Sequence, residues 1–106
     1  MTDGLDALTL DIFRGRVGER FRIRPQPDHA IHAELIEARP LAESSRAQSA
    51  ASPRRAPFAL VFRATLAPAL PQRIYRVEHD EVGPYDIFLV PVGRDGAGIL
   101  YEAIFT

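Results

Sequence analysis

The chain has 106 residues, 46% hydrophobic and 25% charged, the composition of an ordinary globular domain rather than a disordered tail. It contains no cysteine, which excludes disulfides, thiolate zinc sites, iron–sulfur clusters and cysteine nucleophiles. A formal net charge of −1 supplies no basic surplus for a polyanion, so nucleic acid is not an expected partner.

All 13 cationic residues are arginines. The opening Met1–Asp6 is acidic and lacks the basic region and apolar stretch of a signal peptide. The longest apolar run, Ile87–Val92, is far shorter than the roughly 20 residues of a membrane helix. A soluble, cytoplasmic protein with no membrane partner is expected.

The first element reads as a short helix. Thr9 suits the N-cap and Asp11 the first turn, where the helix dipole favours a carboxylate. Leu10, Phe13 and Val17 recur at helical spacing, and Gly18 supplies the stop. After Gly18 the period changes to two. Phe21 and Ile23 alternate with Arg20, Arg22 and Arg24, then Pro25–Asp28 turns the chain. Ile31, Ala33 and Leu35 alternate in a second strand that ends near Pro40, and the two strands form an antiparallel hairpin.

Residues 41–56 are polar and aperiodic and read as a flexible loop inside one domain spanning 1–106. Beyond it, Phe58, Leu60 and Phe62 share one strand face. Pro68 and Pro71 bracket a turn. Tyr75, Val77 and His79 share the face of another strand, and Tyr85–Val92 and Ile99–Phe105 complete the set, separated by a Gly93–Gly98 loop. Connections this short cannot house crossover helices. The expected fold is mainly β: a six-stranded antiparallel small barrel or sandwich with one short N-terminal helix.

The strand from Tyr85 to Val92 is apolar on both faces, and the last strand nearly so. A sheet with one wet face would alternate cleanly, so the second face needs a cover: the N-terminal helix first, otherwise barrel closure or another subunit. Pro91 cannot donate to a ladder and marks an edge or a bulge.

Clusters that carry chemistry elsewhere read blandly here. His29 and His32, at i and i+3 on a strand, point to opposite faces and make a poor metal pair. His79, within Glu78-His79-Asp80-Glu81, is the residue on which a hydrolase or metal enzyme would centre, but it falls on an apolar face and reads as a structural histidine. Serines 44, 45, 49 and 52 lie in the flexible loop without a rigid mount. Gly93–Gly98 precedes a strand, not a helix, and reads as a hairpin turn rather than a phosphate cradle. Arg20, Arg22 and Arg24 form a positive stripe with Glu34 and Glu102 as cross-strand partners, or an acidic protein surface as an external one.

Several segments resemble a small bacterial family defined as a domain of unknown function: Ala56–Arg63, Leu70–His79, Ile87–Gly93 and Tyr101–Phe105, with Leu8–Leu10 and Val17–Phe21. The resemblance covers most of the chain outside 41–56. It implies no activity, cofactor or catalytic residue. Similar chains tend to be encoded near phage-tail-collar-like proteins, which implies an accessory role in such a particle.

The leading expectation is therefore a non-enzymatic structural or protein-interaction module that binds a protein partner or itself, without a cofactor. The alternative is a small-ligand-binding β-barrel with Phe62, Tyr75, Ile87 and Tyr101 around its cavity. A hydrolase or metal enzyme centred on His79 is third.

Overall fold

The computed structural model describes residues 9–41, 57–65 and 69–105. The expected loop, apart from Leu41, and the turn residue Pro68 lie outside the described residues, as do the four loop serines. The strands are β1 (Arg20–Gln26), β2 (His29–Pro40), β3 (Phe58–Ala64), β4 (Arg73–Glu78), β5 (Tyr85–Asp95) and β6 (Gly98–Phe105), preceded by helix α1 (Leu10–Arg14).

Strand order is β1-β2-β3-β6-β5-β4, all neighbours antiparallel, and β4 pairs back onto β1 to close a barrel. Of the two expected architectures, the barrel is the one formed. Period-two patterning explains the closure. Alternate residues of every strand turn inward, so Phe21, Leu35, Phe62, Tyr75, Ile87 and Tyr101 meet in one interior. Long-range pairing of β1 with β4 joins segments more than fifty residues apart, as in Arg22 opposite Glu78.

Two segments outside the strands pack against this interior. At one mouth, Phe13 of α1 is fully buried against Phe21, Phe58, Tyr85 and Phe105, with ring centroids 6.1–6.5 Å away. Toward Tyr75 and Tyr101, the segment before β4 is bound to the interior, with Leu70 packed against the core. The Tyr75 hydroxyl donates to the Pro71 carbonyl at 2.6 Å, and the Leu70 N–H donates to the Tyr101 hydroxyl at 2.8 Å.

Three expectations need correction. The helix stops at Gly15, not Gly18, and Val17 lies outside it, 46% exposed. Thr9 does hold the N-cap position, with the extended backbone of a cap, but its side chain makes no capping bond; its carbonyl accepts the Ile12 N–H. The helix does not cover the outer face of β5, because the five-residue element turns Phe13 into the core instead. The Gly93–Gly98 loop is shorter than expected: β5 continues to Asp95, the turn is Gly96–Ala97, and Gly98 already belongs to β6. The Asp95 carboxylate accepts the Ala97 and Gly98 N–H groups and so closes this tight turn itself.

Gly18, at φ +96°, adopts a backbone that L side chains avoid, and its N–H donates to the Leu35 carbonyl as the chain enters β1. Pro91 sits at a β-bulge between Pro91 and Gly93, the second of its two expected settings, since a closed barrel leaves it no edge.

Candidate functional site

The residues expected around a cavity are the core. Phe62, Tyr75, Ile87 and Tyr101 are each 0–2% exposed and interlock with one another's neighbours. Both tyrosine hydroxyls are committed to the backbone of the segment before β4. Their polar ends therefore tie that segment to the barrel.

His79 stands just past the end of β4 with its ring 4.5 Å from that of Phe21. Its Nε2 lies 2.7 Å from Glu19 Oε1, and its Nδ1 accepts the Glu81 N–H at 3.0 Å. Since Nδ1 is an acceptor, the proton must sit on Nε2 and be donated to Glu19. Both ring nitrogens are thus engaged within the chain. Arg16 extends the chain of contacts, reaching Glu19 at 3.4 Å and Glu81 at 2.6 Å.

The arginine stripe is real, but its partners are not those expected. Arg22 reaches Glu78 at 3.4 Å and Asp80 at 3.0 Å, and Arg24 reaches Glu78 at 3.0 Å. Arg76 adds a third guanidinium to Glu78 at 2.9 Å. Hydrogen bonding to Arg76 foremost, then to Arg24 and Arg22, holds the Glu78 carboxyl down at about 2. Glu34 is taken instead by Arg63, which also binds Asp95, and Glu102 by Arg39. Arg20 stands opposite Glu34 in register without bonding it. The physical reason is closure: β1 has β4 as its second neighbour, and the carboxylate of β4 lies nearer than that of β2.

His29 and His32 are exposed on β2 opposite Gln26 and Arg22. Among the described residues, no group of three or more His, Asp or Glu side chains is placed to hold a metal ion. No described helix is long and apolar enough to cross a membrane.

Ion pairs are spread around the barrel exterior, on β1 and β4, on β2 and β6, and on β2, β3 and β5, but three strands also expose large apolar residues. Ile74 of β4 is 61% exposed and stands opposite Phe88 of β5, which is 50% exposed. Continuing the β5–β6 register two residues beyond Val90–Glu102 brings Phe88 level with Ile104, also 50% exposed. Ile104 in turn faces Ala59 of β3. These residues make a continuous apolar row across the strands, with Val92 exposed at the bulge beside it.

The family described as Domain of unknown function (DUF6916) matches residues 8–105. The chain belongs to that family. No curated protein and no solved structure matches this DUF6916 chain. On the DUF6916 barrel, only Phe62, Tyr75, Ile87, Tyr101, His79 and the three arginines were expected to matter; Ile74, Phe88 and Ile104 were not. The signal for them was the doubly apolar β5, which marks a face needing a cover without naming its neighbours.

Proposed function

We propose that this chain is a non-enzymatic protein-interaction module, a structural part of a larger assembly that it joins through the outer face of β4, β5 and β6. The observation that carries this reading is the Ile74–Phe88–Ile104 row, left exposed on the outside of a barrel whose inward residues form one buried cluster. Large apolar residues aligned across three strands lose free energy only when something excludes water from them. The resemblance noted in the sequence implies that the assembly is phage-tail-like, and the absence of cysteine fits a cytoplasmic one.

Size-exclusion of native extract tests the reading. The wild-type chain should elute well above the 11.8 kDa of one copy. Phe88→Asp, which alters only the outer face, should return it to the size of a single chain. A wild-type chain that elutes as one copy in extract contradicts the proposal.

A further inference from the structure

We infer that the occupant of the β4–β5 face is a second copy of this chain, related by a two-fold axis running parallel to the strands between β4 and β5. This deepens the interaction-module reading and rests on it.

Closure of the barrel narrows the modes of association. Among the described residues every strand is paired on both sides, so another chain cannot add as a strand and must pack on side chains. The outer face between β4 and β5 carries two consecutive rows. One is Ile74 opposite Phe88; the next is Arg76 opposite Asp86. Each row pairs unlike residues, the first in shape and the second in charge.

A two-fold axis between these strands lays β4 of one copy over β5 of the other at the same height. Ile74 then covers Phe88 of the second copy, and Phe88 covers Ile74. In the neighbouring row Arg76 meets Asp86 of the second copy, and Asp86 meets Arg76. The contact is self-complementary in both rows without any rearrangement.

The charges are free to take this role. Arg76 directs its Nε to Glu78 at 2.9 Å and keeps its other guanidinium donors. Asp86, exposed beside it, makes no ion pair among the described residues. Glu78 remains satisfied by Arg22 and Arg24 if Arg76 is changed.

Sedimentation velocity of the purified full chain over a concentration series decides the matter, with circular dichroism confirming the fold of each variant. Wild type should be a dimer. Phe88→Asp and Ile74→Asp should be monomers. Asp86→Arg and Arg76→Asp should each weaken association by about tenfold, because each sets like charges face to face across the axis. The double reversal Arg76→Asp/Asp86→Arg should restore it. A wild-type monomer at every concentration overturns the inference, and so does a dimer indifferent to Phe88→Asp and Ile74→Asp. Failure of the double reversal to rescue the single ones overturns the two-fold arrangement. If the pure protein is monomeric while the native extract still holds it in a larger complex, self-association falls and the interaction module stands. If both are monomeric, both fall.

Discussion

His79 donates its Nε2 proton to Glu19, 2.7 Å away, and in doing so ties the end of β4 to the residue that leads into β1. The geometry requires one tautomer, because the Glu81 N–H already occupies Nδ1. Nitrogen-detected NMR of the imidazole at neutral pH should show the proton on Nε2. A proton on Nδ1 would break the arrangement. His79→Ala strips both partners and opens a gap beside Phe21, so it should cost about 1–3 kcal/mol of stability in urea unfolding.

The three guanidiniums around Glu78 make stability depend on pH. A carboxyl held at about 2 in the folded chain, against an ordinary 4.5, binds its proton less readily folded than unfolded. Its contribution is therefore complete above about 4.5 and is lost as pH falls through about 2. Asp95, held low by the Ala97 N–H foremost and by Arg63, changes in the same sense. Urea midpoints measured across that acid range should fall more steeply for wild type than for Glu78→Gln. Parallel curves would show that the carboxylate is not held as described.

Gly98 opens β6 where a side chain has no room. A Cβ there would run into the Ala64 carbonyl oxygen and lie 2.9 Å from Arg63 Cγ. The carbonyl belongs to the backbone of β3 and cannot swing away. Gly98→Ala should therefore destabilise by about 3 kcal/mol, at the upper end for overpacking. An unchanged melting temperature would contradict the β3–β6 register at this end.

Much of the barrel was legible because inward and outward positions alternate along each strand. Phe21 and Ile23, Phe58, Leu60 and Phe62, and Tyr75 and Val77 fell on the faces that the barrel buries, although β3 also buries Ala59 and Val61 on its other face. Pro91 announced a bulge through its missing N–H. Partners across the closure were not legible. Alternation gives the face of a residue but not which distant strand lies beside it, and Arg22 meets Glu78 only because β4 closes onto β1. The length of the helix was misjudged for a related reason. Val17 shares helical spacing with Phe13, yet the chain must turn at Gly15–Gly18 to enter β1. The exposed row escaped because neighbours in register, not neighbours in sequence, assemble it.

The functional reading rests on the Phe88 ring lying outside the core. Chemical unfolding of Phe88→Asp at high dilution tests this most directly, with Phe62→Asp as the reference for a buried ring. A surface position should shift stability by no more than about 0.5 kcal/mol, while the buried one should prevent folding. Loss of several kcal/mol in Phe88→Asp would place that ring in the core and remove the face on which the proposed assembly is built.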